Sequence, residues 1–290
     1  PTEASPAVVE PSAAPVVEVD PELAAELDRF EEEWERDRAA LLDRTESMAG
    51  LLRARGLMLR SDLLRGWGDA WWEVGIAWGT VGARKGDLVV EVTTYRDEVY
   101  REGSRKPEVS YGDSLEEDLR RRDLTVNAMA VTLPDKRFVD PFGGLRDLAA
   151  RVLRTPGRPE DSFNDDPLRM MRVARFAAQL GFQVDPGVTA AIVAMAERLT
   201  IVSAERVRDE LTKLVCSPRP RAGLTVLVET GLADVVLPEL PRLRLEIDEH
   251  HQHKDVYEHT LTVLEQAIAL EDPGSGPDFT LRFAALMHDV

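Results

Sequence analysis

Histidine is missing from the first 249 residues, and the whole 290-residue chain holds one cysteine, Cys216. A lone thiol excludes an internal disulfide framework and fits a reducing compartment such as the cytoplasm. No apolar run approaches the length of a bilayer span, and "PTEASPAVVEPSAAPVVEVD" at the start has neither a basic n-region nor an apolar h-region. Neither a membrane span nor a secretory leader is therefore expected. Positive charge is scarce: 36 Lys and Arg stand against 53 Asp and Glu, a formal net charge of −17. Such a total argues against broad nucleic-acid binding. There is no internal repeat of fixed period. No Met opens the chain, and it stops at "MHDV" while still apolar, as expected of a piece of a longer protein.

At 43% hydrophobic residues the chain can build real cores, and its length allows two or three domains. The charge is unevenly spread. Residues 1–60 carry 14 acidic groups against 7 arginines, whereas residues 151–222 carry 12 basic groups against 9 acids. Residues 1–20 are Pro, Ala, Val and Glu without a period and are expected to be a disordered lead. Residues 21–60 spell an acidic helix opened by Asp20-Pro21, a solvated surface helix or a zipper for a partner. From 61 to 150 the texture is that of strands. "WWEVGIAWGTVGARKG" and "LVVEVTTYR" predict a hairpin turned at Lys-Gly-Asp, "LTVNAMAVTL" a third strand, and "FVDPFGGLRDL" a short strand, a Gly-Gly turn and a helix start. Residues 151–245 predict four amphipathic helices separated by Pro and Gly, and 246–290 hold all five histidines.

Two constellations carry chemistry. In "RRDLTVNAMAV", Arg121, Arg122 and Asp123 stand together at the foot of a predicted strand. Guanidinium forks suit a triphosphate, and an Asp beside them can accept from a ribose hydroxyl; a simple ion pair at a strand entrance is the alternative. In "DDPLRMMRVAR", Asp166, Arg169, Arg172 and Arg175 recur every three residues. On one helix such neighbours lie about 4.5 Å apart along the axis and form a slanting ladder, which an exposed ion-pair stripe would also produce. Cytosine and adenine both present an exocyclic amino donor beside a ring-nitrogen acceptor. Asp166 can accept from the amine while Arg169 donates to the ring nitrogen; uracil and guanine present the opposite order. Arg172 and Arg175 are then placed for phosphates.

These residues resemble the class II tRNA nucleotidyltransferases, the CCA-adding enzymes, and their bacterial poly(A) polymerase relatives. From about Leu63, "GTVGARKGDLVVEVTTYR" is similar to the family's central head strands and "EEDLRRRDLTVNAMAV" to its sugar and phosphate motif. "FVDPFGG" resembles its head-to-neck hinge, "DDPLRMMRVARFAAQLGF" its amino-acid template helix, and "SAERVRDEL" its neck motif. The resemblance implies an α+β fold: a partial polymerase-beta-like nucleotidyltransferase head sheet, an all-α neck and body, and the start of an all-α HD domain. It implies that Arg122 and Asp123 contact phosphate and ribose, with Arg121 and Asn127 shaping that corner. Asp166 and Arg169 would read the base, and Arg172 and Arg175 would complete the pocket. The implied activity is addition of C, C and A to tRNA 3′ ends from CTP and ATP with Mg²⁺. "HKDVYEHTLTVLEQ" followed by "LRFAALMHDV" resembles the opening of an HD-type metal-dependent phosphohydrolase domain, with His259, His288 and Asp289 as ligands of a divalent metal.

One part of that pattern is missing. The family's metals sit on an Asp-x-Asp pair soon after a "GG-x-x-R-D" turn, yet between Asp20 and Trp71 there is neither Gly-Gly nor Asp-x-Asp. Glu91 could serve as an outer third carboxylate, or as a plain strand residue facing solvent or Arg96. The chain as it stands is expected to add no CCA. A non-catalytic module that grips tRNA through its basic helices is the alternative.

Overall fold

In the computed structural model, which describes residues 66, 68–72, 80–93, 96–99, 108–111, 114–132, 136–245, 256–272 and 274–290, strand β1 (Ala70–Trp72) pairs antiparallel with β2 (Thr80–Lys85), and β2 with β3 (Leu88–Thr93). The expected lead and acidic helix lie outside the described residues. Gly86 takes a positive φ of 56° in the two-residue turn between β2 and β3, which is the hairpin expected at Lys-Gly-Asp. Leu88, Val90 and Val92 alternate inward onto buried Val81 and Ala83. Trp72 stands opposite Gly82, where an added Cβ would come within 2.2 Å of the indole. Two short antiparallel pairs follow, β4 (Arg96–Val99) with β5 (Glu108–Tyr111) and β6 (Ala130–Val131) with β7 (Phe138–Val139).

Helix α1 (Leu115–Arg120) starts at Ser114, whose hydroxyl accepts from the Glu117 N–H at 3.3 Å. The segment after it departs from expectation. "LTVNAMAVTL" is no long strand: Thr125–Asn127 wind into a 3₁₀ turn, and only Ala130 and Val131 join a sheet. The reason is local. The Asp123 carboxylate accepts from the Leu124 N–H at 2.9 Å and from the Asn127 amide at 3.0 Å, and such side-chain capping competes with strand pairing.

The helical part is α2 (Gly144–Ala149), α3 (Pro159–Asp165), α4 (Leu168–Leu180), α5 (Pro186–Met195), α6 (Ala204–Val215), α7 (Pro220–Glu229), α8 (Leu232–Val236), α9 (Glu239–Arg242), α10 (Val256–Ala269) and α11 (Phe279–Leu286). Between α2 and α3, strand β8 (Val152–Leu153) runs parallel to β9 (Gln183–Val184), which follows α4. The stretch "RAGLTVLVETGLADVVLPEL", expected as one helix, is divided by Gly231 at φ 78°, a left-handed stop that a non-glycine residue adopts only with strain. Helix α4 lies at the centre: Met170, Met171, Val173, Ala174, Ala177 and Ala178 are all buried in one core that runs from Leu124 to Leu286. It meets α7 at Gly223, where a Cβ would lie 2.6 Å from the Ala174 carbonyl oxygen, so the backbones touch. Arg282 on α11 donates to the Val215 and Ser217 carbonyls at 2.9 and 2.8 Å and grips Glu271 with both Nε and Nη2. That guanidinium satisfies the end of α6, where helical carbonyls lack partners. Among the described residues no helix is long and apolar enough to cross a membrane.

Candidate nucleotide site

The end of α1 delivers Arg121, Arg122 and Asp123. Asp123 is 8% exposed, with Oδ1 held as above and Oδ2 accepting from Arg172 Nε at 2.7 Å and Nη2 at 2.6 Å. Arg121 and Arg122 both reach back to Asp118, at 3.4 and 3.0 Å. Arg122 keeps about half of its side chain exposed. The corner is braced from behind. Thr125 donates through its hydroxyl to buried Asp147 at 2.7 Å and through its backbone N–H to the Arg154 carbonyl at 2.8 Å; Arg154 itself pairs with Asp147 and with Asp185. Gly144 passes so close that a Cβ there would sit 2.2 Å from the Thr125 carbonyl oxygen, which accounts for the glycine of "FVDPFGG".

Asp166 lies in the joint between α3 and α4 and not on a helix. Its φ of −142° and ψ of 101° are the extended values that a following proline imposes. The one-helix ladder is therefore corrected: the helix begins at Leu168, and Asp166 sits ahead of it. Its Oδ1 accepts from the Leu168 N–H at 3.1 Å, and its Oδ2 from Arg206 Nη2 at 2.8 Å. Arg169, on the first turn of α4, donates through Nη2 to the Arg121 carbonyl at 2.6 Å and through Nη1 to Ser162 Oγ at 3.0 Å. No ion pair joins Asp166 to Arg169. Each is held by a separate partner, which is not what a simple ion-pair stripe would give.

Arg121, Arg122, Asp123, Asn127, Asp166, Arg169 and Arg172 line one open cavity of about 550 Å³ together with Phe176. That volume is in the range of small-molecule sites. Four guanidiniums and two carboxylates leave a local positive excess on an acidic chain, which suits a polyanion carrying a polar edge. Phe176, which the ladder reading places with Leu168, Met171 and Ala174 on the other sides of the helix, joins the cavity wall instead. The signal was present, since it follows Arg172 by four residues and Arg169 by seven, on the same helical face. Its ring centroid lies 6.0 Å from the Arg172 guanidinium and 4.1 Å from that of Arg175.

Two expected members are absent from the cavity lining. Arg175 is 9% exposed, with Nε on Glu210 of α6 at 2.6 Å and Nη1 on Gln179 at 2.6 Å. Six residues beyond Arg169, it has rotated by about 240° and points to α6. Glu91 lies on the exposed face of β3 opposite Gly82, a strand residue and not part of the cavity wall.

A second cluster lies at α10 and α11. One ligand atom each from His259, His288 and Asp289 falls within 4.8 Å of the others, the one such group among the described residues. His288 Nδ1 is 2.8 Å from the Ala285 carbonyl, and its Nε2 is 3.0 Å from Asp289 Oδ2. The carbonyl can accept only from a protonated Nδ1, so in the neutral ring Nε2 is a lone pair facing a carboxylate. Acceptor against acceptor is relieved by a proton or a cation, and a backbone carbonyl behind the ring is the usual orienting partner of a metal-bound imidazole. Cys216 takes no part, and burial pushes its thiol up, away from nucleophilic character.

Residues 38–154 match the family described as "Poly A polymerase head domain", and residues 181–243 the one described as "Probable RNA and SrmB-binding site of polymerase A". The chain is 44% identical to the CCA-adding enzyme of Bacillus subtilis over 170 residues, 58% of this chain and 42% of that protein. It is 42% identical over 182 residues to the A-adding tRNA nucleotidyltransferase of Deinococcus radiodurans, 61% of this chain and 41% of that protein. A solved structure, the CCA-adding enzyme of Bacillus stearothermophilus in complex with CTP, superposes with a TM-score of 0.56 at 31% identity, covering 72% of this chain and 51% of that one. The chain thus spans less than half the length of the curated relatives it matches.

Proposed function

We propose that the chain is a member of the class II tRNA nucleotidyltransferase family and that its cavity binds CTP and ATP for addition to tRNA 3′ ends, a reading supported by the matches over residues 38–154 and 181–243 and by the 44% identity to a CCA-adding enzyme. Asp166 accepts from the exocyclic amine, Arg169 donates to the ring nitrogen, Asp123 takes a ribose hydroxyl, and Arg121, Arg122 and Arg172 meet the phosphates. Asn127 orients Asp123. The observation that carries this reading is that Asp166 and Arg169, unpaired with each other, open into the same cavity as Arg122 and Asp123. The place of work is the cytoplasm, where the single Cys216 stays reduced.

The cavity does not by itself fit the family's Mg²⁺. Its two carboxylates are each bound to an arginine, Asp123 to Arg172 and Asp166 to Arg206. Among the described residues the cavity therefore offers no carboxylate pair free to activate a tRNA hydroxyl. His259, His288 and Asp289 do fit a divalent metal, which when bound would supply Lewis-acid polarisation of a phosphate ester.

Calorimetric titration of the purified chain with the four nucleoside triphosphates tests the reading. CTP and ATP should bind more tightly than UTP and GTP, and Arg169→Ala should erase the preference; equal binding of all four by the unaltered chain defeats it. No labelled C or A should enter tRNA lacking its end. The second reading, tRNA binding without chemistry, is favoured by the missing Asp-x-Asp and the match over residues 181–243. It calls for salt-sensitive tRNA retention on a filter with no nucleotide preference.

A further inference from the structure

Base discrimination by Asp166 and Arg169 needs more than the two side chains. Arginine carries about 2 kcal/mol of rotamer entropy on its flexible stem. A guanidinium free to swing would turn aside from uracil or guanine and relieve the donor-against-donor clash that should reject them. Rejection requires that it be held.

We propose that Ser162 is the positioning residue that locks the donor face of Arg169 and keeps it in register with Asp166. The proposal rests on the nucleotide reading above and deepens it. Ser162 is 6% exposed, on α3, and it touches both members of the pair. Its hydroxyl lies 3.0 Å and its carbonyl 3.4 Å from Arg169 Nη1. The same carbonyl accepts the backbone N–H of Asp166 at 3.2 Å. With Nη2 on the Arg121 carbonyl, both terminal nitrogens of Arg169 are anchored, while Nε has no acceptor among the described residues. The guanidinium can no longer rotate about its last bonds, and its unengaged N–H groups remain for a ligand. One serine thereby fixes where the donor points and how far it stands from the neighbouring acceptor. Its effect falls on exclusion of UTP and GTP more than on affinity for CTP and ATP.

The test compares unaltered chain, Ser162→Ala, Ser162→Thr and Arg169→Ala by calorimetric titration with all four nucleotides, alongside thermal melts. Ser162→Ala should lower the preference for CTP over UTP by roughly fivefold, the net scale of one ordinary hydrogen bond. CTP affinity should fall by less than that factor, and Ser162→Thr, which keeps the hydroxyl, should restore the preference. Ser162→Cys fills the same space with a weak acceptor and serves in place of alanine if that variant does not fold. A folded Ser162→Ala chain that keeps the full preference, or one that loses affinity for all four nucleotides alike, overturns the proposal while leaving the nucleotide reading in place. An unaltered chain without preference, or an Arg169→Ala chain that keeps it, removes the reading and the proposal together.

Discussion

Arg175 and Arg172 are three residues apart, share a charge and a helix, and have different jobs. Arg172 spans the cavity wall to Asp123, whereas Arg175 is sunk against Glu210, itself 4% exposed. Removing one partner of a buried pair strands the other, at a cost of about 3–5 kcal/mol. Arg175→Ala should therefore shift the urea midpoint strongly downward while the CTP-over-UTP preference of the remaining folded chain stays put; Arg172→Ala should weaken binding of every nucleotide and lower the midpoint less, because Asp123, though left without its guanidinium, keeps the Leu124 N–H and the Asn127 amide. At this scale a convergence was legible in the sequence: Asp166, Arg169, Arg172, Arg122 and Asp123 line one cavity. Their orientations were not. A three-residue spacing says only that side chains lie near one another along an axis. Whether the last one faces a cavity or a neighbouring helix depends on Glu210, 35 residues away, and no local pattern contains that.

Among elements, the crossing of α4 on α7 is set by Gly223. A methyl at that position would meet the Ala174 oxygen at 2.6 Å and the Ala178 Cβ at 2.9 Å, so Gly223→Ala should cost about 1–3 kcal/mol through overpacking despite alanine's better helix propensity. Guanidine unfolding checks this. The joint of α11 with α6 makes a pH prediction. Hydrogen bonding from Arg282 holds the Glu271 carboxyl below the usual glutamate range. A carboxyl depressed in the folded chain contributes stability that is present above the unfolded value, about 4.3, and is lost as pH falls through the folded one. Unfolding free energy should decline as the pH drops below that value, and Glu271→Gln should flatten part of the decline. Helix positions were readable from apolar periodicity because packing on α4 demands it. The strand expected over "LTVNAMAVTL" failed because Asp123 and Asn127 cap their own backbone, and alternation alone cannot weigh that competition.

For the molecule as a whole, net charge and local charge oppose each other. A chain at −17 presents arginines inward on one cavity, so entry of an anion is favoured at short range and resisted at long range. Salt should screen the repulsion of the acidic exterior as well as the local attraction. Triphosphate affinity should therefore fall less steeply with ionic strength than four arginines alone would suggest, which titration across a salt series measures. The histidine cluster predicts a separate response. Mn²⁺ or Zn²⁺ at a hundredfold excess over its dissociation constant should stabilise the chain by about 2.7 kcal/mol, with the gain reversed by chelator and absent in His288→Ala.

Helix α6 is held at three points along its length: Arg206 on Asp166, Glu210 on Arg175, and the Val215 carbonyl on Arg282. Adding or deleting one residue between the first and last would swing everything beyond it by about 100° and slide it by about 1.5 Å. The three anchorages could then not all be kept at once. The length of this segment is consequently as constrained as any side chain it bears, and gaps in it should be tolerated far less well than substitutions along its solvent face.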